Sequence, residues 1–218
     1  MNTTNYVYEL AINKAKDWKE FSESRSEFVE QLGLEEASLN EGKWKPFFSF
    51  AEMDLEPVLI GMTHWKSLES FGEVAQRLLP QRMAKRYFAS FEPLTYGLLE
   101  SLDGEAFDME SIKSEGLTVE FALRKAKTPD AFGAPHDSFF DSLEQYPGFK
   151  FYREFKFYEL NEKGIPVLQD NTQAVIIVWE SVAKFQEAVP NIMQSAEAND
   201  FMPKLEVKAY FAASPDLG

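Results

Sequence analysis

Apolar and polar positions alternate with a period of two over some short stretches of this chain and with a helical period over others. Tyr6–Asn13, rich in aromatic and aliphatic residues, reads as a strand. Asp17 is placed to cap a helix with Phe21, Phe28 and Leu32 at helical spacing. Lys43–Phe50 and Val58–Thr63 read as strands joined by a turn through Asp54, Glu56 and Pro57. Ser67 heads a second helix that buries Leu68, Phe71, Val74, Ala75 and Leu78, and Leu94–Leu99 is a further strand. The order then returns as strand Leu117–Arg124, helix Asp130–Gln145, strands Phe149–Leu160 and Gln173–Trp179, helix Ser181–Ala198 and strand Lys204–Phe211.

Residue identities return with the pattern. Glu9, Ala11, Lys14, Ala15 and Lys16 recur as Glu120, Ala122, Lys125, Ala126 and Lys127, and Phe21 recurs as Phe132. Trp65, Ser67 and Phe71 recur as Trp179, Ser181 and Phe185, and Phe91 and Pro93 as Phe201 and Pro203. Three matches in one order point to a duplication. The expected fold is α+β: two tandem ferredoxin-like βαββαβ repeats, 1–100 and 117–218, joined by an acidic linker, 101–116. Each unit leaves one sheet face bare, and two such faces closing on each other make a fused pseudo-dimeric α+β barrel with no free edges. Such a barrel is expected to be a monomer, with higher assembly left open.

Strand parity assigns faces. Val175, Ile177 and Trp179 share a side suited to a helix-covered core. Phe149, Phe151, Phe155 and Phe157 are expected on the same kind of side. Lys150, Tyr152, Glu154, Lys156 and Tyr158 are then expected towards a polar barrel interior or solvent. Glu9 and Glu120 hold equivalent places on the first strand of each repeat. A repeated carboxylate invites a general-base role, but the expected role is a structural ion pair with a Lys or Arg across the barrel interior, which explains why both copies carry it.

Composition narrows the functions. The net charge of −14 and the absence of any basic run argue against nucleic acid and anionic membrane as partners. With no cysteine, thiolate zinc, iron–sulfur clusters and thiol nucleophiles are excluded. No apolar run approaches a membrane span, and Met1–Tyr8 lacks the features of a signal peptide, so a cytoplasmic location is expected. Of the two histidines, His64 is expected at the barrel interior or rim and His136 at the surface. They are not at ligand spacing, so no metal site is expected.

The βαββαβ order, the Trp65-Lys66-Ser67 to Phe71 junction and the lysine-containing turn after strand one resemble the dimeric α+β barrel superfamily. Within it they resemble the antibiotic-biosynthesis-monooxygenase-like proteins, which include heme-degrading enzymes and tandem fused members. The resemblance implies a pocket between sheet and helices, lined by the junction tryptophans Trp65 and Trp179. Heme-degrading members place an Asn on strand one and a His on the second helix. Here Tyr8 and Val119 stand near the strand position, and neither second helix carries a His. No cofactor is therefore implied, and other members oxygenate activated aromatic substrates without metal or flavin.

Gly61 and Thr63 beside Trp65 are smaller than Val175 and Ile177 beside Trp179. A substrate pocket is therefore expected in the first repeat, walled by Tyr8, Trp44, Phe48, Gly61, Thr63 and Trp65, unless larger helix residues fill it. Two readings of function stand side by side. One is a cofactor-independent monooxygenase-like protein acting on a flat, partly apolar small molecule. The other is a non-catalytic ligand- or protein-binding barrel related to stress. A heme-binding variant through His64 is a third.

Overall fold

The computed structural model describes residues 6–216. Met1–Asn5, part of the stretch read as free of a signal peptide, lie outside the described residues, as do the last two of the chain. Among the described residues the chain is a mixed α/β protein with seven helices around a closed eight-stranded antiparallel barrel. No helix there is long and apolar enough to cross a membrane.

The first half runs β1 (Val7–Ala15), α1 (Trp18–Leu32), β2 (Ser38–Ser49), β3 (Val58–Trp65), α2 (Leu68–Leu78), α3 (Arg82–Ala89) and β4 (Phe91–Ser101). After α4 (Met109–Glu115), the second half runs β5 (Thr118–Ala126), α5 (Ala134–Ser142), β6 (Phe149–Leu160), β7 (Pro166–Trp179), α6 (Val182–Ile192), α7 (Ala196–Phe201) and β8 (Leu205–Pro215). The barrel order is β1-β3-β2-β8-β5-β7-β6-β4. The two four-stranded sheets therefore meet along two seams, β2 with β8 and β4 with β6, and no strand is left with an open edge.

Local chemistry sets the helix ends. Asp17 accepts from the Glu20 amide at the head of α1, and Ser67 and Ser70 form a reciprocal capping box on α2. The stretch 181–198, expected as one helix, is two: α6 carries Pro190 in its last turn, and Ser195 caps a new start at α7.

All eight strands send apolar side chains into one interior core, including Tyr8, Ile60, Phe121, Phe155, Ile176 and Phe211. Outside the barrel, α5–α7 cover the second sheet, while α1–α3 cover the first. The segment 101–116, expected as a linker, contributes Phe107, Met109 and Ile112 to the interior core. Tyr8 accepts at its hydroxyl from the Phe107 amide at 2.8 Å.

Strand β6 departs from the expected faces. Phe155 and Phe157 point into the barrel, Phe151 packs at the edge of that interior core, and only Phe149 joins the helix-side core. Tyr152 faces the helices of the second half, and Glu154 bonds His136 of α5 there. Tyr158 packs with the helix-side core of the first half. A bulge between Phe149 and Phe151 shifts the parity of all that follows. The interior is apolar because two apolar sheet faces meet there.

Gly97 lies where β4 and β6 close the barrel. A Cβ there would stand 2.4 Å from the Phe157 ring and 2.6 Å from the Tyr158 carbonyl oxygen. Gly97→Ala is expected to lower unfolding stability by roughly 2–3 kcal/mol. Urea titration should show a lower midpoint with an unchanged slope, and an unshifted midpoint would contradict the tight seam.

Candidate functional site

The site is built on the helix-facing side of the sheets, where Glu9 and Glu120 project. Val7 pairs with Trp65, and Ala11 with Tyr96, so Glu9 lies diagonally between two long side chains on its two neighbouring strands. Trp65 donates its indole N–H to Glu9 Oε2 at 3.1 Å, and Tyr96 donates its hydroxyl to Glu9 Oε1 at 2.7 Å. The second sheet repeats this. Thr118 pairs with Trp179 and Ala122 with Tyr210, and Glu120 accepts from the Trp179 indole and the Tyr210 hydroxyl. Neither carboxylate spans the barrel interior to a Lys or Arg. Side-chain parity sends both outward, under the helices.

Both donors are neutral, so they cannot offset desolvation of a carboxylate as a cation would. Burial raises the Glu9 pKa and lifts that of Glu120 to about 7, with the Tyr and Trp bonds pulling only partly back. Burial, then the adjoining carboxylate, pushes Tyr96 and Tyr210 well above the usual phenol value.

The two clefts around these acids differ. In the first, Arg25 of α1 pairs with Glu41, and Asn13 Nδ2 donates to the Tyr87 hydroxyl at 3.4 Å. These side chains reach into the space left by Gly61, whose missing Cβ would lie 3.8 Å from the Arg25 guanidinium. The remaining cavity is about 40 Å³. In the second cleft, β5 presents Glu120, Ala122 and Arg124 beneath apolar walls that include Phe139, Val175, Ile177 and Ile192, around a cavity of about 70 Å³. That is about half of the roughly 150 Å³ in which an apolar cavity takes benzene, so a ring seated there would also use the space past Phe50.

Arg124 is buried, 4 % exposed, and donates to Glu154 Oε1 at 2.5 Å. His136 meets the same oxygen at 2.7 Å and Asp137 at 2.9 Å. This histidine, expected at the surface, is buried, because α5 turns it inward against Phe140 and Phe201. Desolvation works against its cation, but the bonds to Glu154 and Asp137 outweigh it, and its pKa is raised. Glu154 shows the converse: burial raises its pKa, and His136 and Arg124 together bring it below the ordinary value.

The six pocket residues expected from the sequence are not brought together. Gly61 and Thr63 line the first cleft, and Trp65 reaches it through Glu9. Tyr8 and Trp44 lie on the opposite face, in the barrel interior. Phe48 packs across the seam on Phe185 of α6. Tyr96 and Tyr210, which complete the two acid clusters, were not singled out. The spacing between Trp65 and Trp179, applied to the last strand of each half, relates them. The other repeat assigned there does not hold in space. Ala15 pairs with Phe91 but Ala126 with Leu205, while Phe201 ends α7.

Among the described residues neither histidine lines either cleft. His64 stacks on Tyr8 at 4.7 Å on the barrel side of β3, and burial lowers its pKa. Both ring nitrogens of His136 are engaged by carboxylates. Neither cleft has room for a tetrapyrrole. Among the described residues no group of His, Asp and Glu is arranged to hold a metal.

No known protein family description matches the chain, and no curated protein does. Solved structures do. An anthrone oxidase-like protein is 10 % identical, with 97 % of this chain and 91 % of that chain covered and a TM-score of 0.62. A proposed chlorite dismutase is 9 % identical, with 97 % and 94 % covered and a TM-score of 0.59. A proposed monooxygenase from Fusobacterium nucleatum subsp. nucleatum is 10 % identical, with 99 % and 93 % covered and a TM-score of 0.51. These neighbours belong to the dimeric α+β barrel superfamily, and at such identities the likeness is one of fold.

The raised pKa of Glu120 makes stability depend on pH. Between the ordinary value of 4.5 and about 7, the folded protein holds a proton that the unfolded chain releases. That contribution is complete at the acid end of this window and is lost as pH rises through about 7. It amounts to roughly 3 kcal/mol. Denaturant titrations of the native protein and of Glu120→Gln across this window should show the native curve falling by about that much relative to the variant. Parallel curves would rule out a buried proton at Glu120.

Proposed function

We propose that this chain is a monooxygenase-like, small-molecule-binding protein whose site is the sheet–helix cleft of the second half. The proposal includes a fused tandem architecture. Two ferredoxin-like βαββαβ units, 1–100 and 117–218, supply the sheets β4-β1-β3-β2 and β6-β7-β5-β8, and each covers the other's bare face. On this reading the chain is a monomer. The matched register of the two Glu–Trp–Tyr clusters supports it.

One observation carries the functional reading. Glu120 is a buried carboxylate of raised pKa, held by neutral donors in an apolar cleft. Such a group accepts a proton from a weakly acidic substrate near neutral pH. Trp179 and Tyr210 orient it, the phenylalanine walls hold a flat ring, and the helices exclude water. The anion left on the substrate is electron-rich. In a monooxygenase-like reaction it reacts with O₂, which leaves one oxygen atom on carbon and the other in water. The first cleft, the expected place, is the poorer candidate because Arg25 and Tyr87 occupy it.

A second reading has an observation of its own. The same Glu–Trp–Tyr cluster stands in the first half, in the smaller cleft. There its visible work is to tie three strands together, and a barrel that binds ligands without chemistry would need no more.

Thermal-shift screening with aromatic metabolites and quinones, followed by O₂ uptake with each hit, separates the two. Saturating ligand at a hundredfold over Kd stabilises the fold by about 2.7 kcal/mol. Ala122→Leu, which fills the second cleft, is expected to abolish the shift, and Ala11→Leu, its counterpart in the first, to leave it. Glu120→Gln is expected to keep binding within a few fold and to cut turnover by roughly 10²- to 10⁴-fold. Binding without O₂ uptake favours the second reading, and a shift lost only in Ala11→Leu moves the site to the first cleft.

A further inference from the structure

The second cleft does not end at its cavity. Phe50, Met193, Met202, Val207 and Tyr210 line both the cleft and an outer groove of about 630 Å³ that runs along β8. Phe50 is 47 % exposed and stacks on Tyr210 at 4.3 Å, and this ring pair borders both spaces. Met193 and Val207 are likewise exposed apolar side chains in this otherwise acidic protein. A hydrated surface gains nothing from such a channel, but an apolar chain leaving the cleft does.

The inner end has the opposite character. Arg124 lines the cleft, and its Nε–H is buried without a hydrogen-bond partner. One terminal nitrogen donates to Glu154, and the rings of Phe132, Phe140 and Phe201 lie 5.1–5.6 Å from the guanidinium carbon. A buried donor left unpaired is costly, and a ligand oxygen placed against it recovers that cost. Glu120 lies four residues away along β5, and its side chain lines the same cleft. One proton acceptor and one oxyanion donor thus face the same small space.

We infer that the ligand is elongated and neutral, with an ionisable oxygen on a flat head group (a phenol or an enolisable ketone) held between Glu120 and Arg124, and an alkyl-like tail that leaves past Phe50 into the Met193–Val207 groove. This rests on the site proposed above and names its substrate class. Proton transfer is balanced within the pair: the hydroxyl or α-carbon proton passes to a Glu120 oxygen, and the negative charge gathers on the ligand oxygen at the Arg124 Nε–H. A carboxylate head group fits less well, because it would place two acids side by side and keep Glu120 protonated.

The probes are 4-alkylphenols from phenol to 4-hexylphenol, titrated calorimetrically into the intact chain. Affinity is expected to rise about three- to fourfold per methylene. Val207→Asp and Phe50→Asp, both at exposed positions, should flatten this rise, lowering the affinity for 4-hexylphenol far more than that for phenol. With ¹³C at the oxygen-bearing carbon, bound 4-hexylphenol should ionise at lower pH than free ligand, and Arg124→Lys should reverse that shift. An affinity independent of chain length, or a rise untouched by both surface variants, overturns the tail. Ionisation unchanged on binding overturns the role of Arg124. If no alkylphenol binds, the inference falls, whereas the cleft itself is judged by the Ala122→Leu and Glu120→Gln results.

Discussion

Everything in this molecule follows from two sheet faces that must cover each other. A four-stranded sheet with helices on one side leaves a row of large apolar side chains on the other. Here Tyr8, Leu10 and Ile12 on one sheet meet Phe121, Phe155 and Ile176 on the other, and the β2–β8 and β4–β6 seams complete the circle. Closure fills the interior so completely that Phe107, Met109 and Ile112 from the connecting segment are drawn into it. A filled, apolar barrel has no place for solvated polar chemistry. The candidate acids are therefore found in the layer outside it, between sheet and helices.

In that layer, environment separates residues of the same type. Glu120 and Glu154 both lie on the helix-facing side of the second sheet. Glu154 is bonded by a guanidinium and an imidazole and stays ionised, whereas Glu120 is bonded by an indole and a phenol and keeps its proton to about pH 7. Coulombic attraction by a neighbouring cation falls off slowly in a low-dielectric cleft, whereas a neutral donor contributes only its hydrogen bond. Two carboxyl groups with proton affinities pushed apart are what acid–base work requires.

The period-two and helical patterns carried the order of the main elements, because burial on one face leaves a direct trace in residue type. The Glu9/Glu120 and Trp65/Trp179 correspondences were visible for the same reason. What they do for each other was not: an indole reaching diagonally to a carboxylate two residues away on the next strand depends on register. Tyr96 and Tyr210 were hidden behind a match between Phe91 and Phe201, which four residues of displacement separate in space. A single bulge inverted the expected faces of β6. Gly61 pointed to an empty pocket, but a glycine reports only the side chain it lacks, and Arg25 arrives from another element.

The difference between the clefts then has a simple origin. At the position four residues after each repeated glutamate, the first half has Asn13 and the second Arg124. Asn13 carries no charge, so the cation near Glu9 comes instead from α1 as Arg25, which pairs with Glu41 and occupies the cleft. Arg124 places its cation on the sheet, held down by Glu154, and the space above it is left to apolar helix residues. A cation anchored on the cleft floor needs no helix side chain to deliver it, and that placement leaves the second cleft the larger cavity of the two.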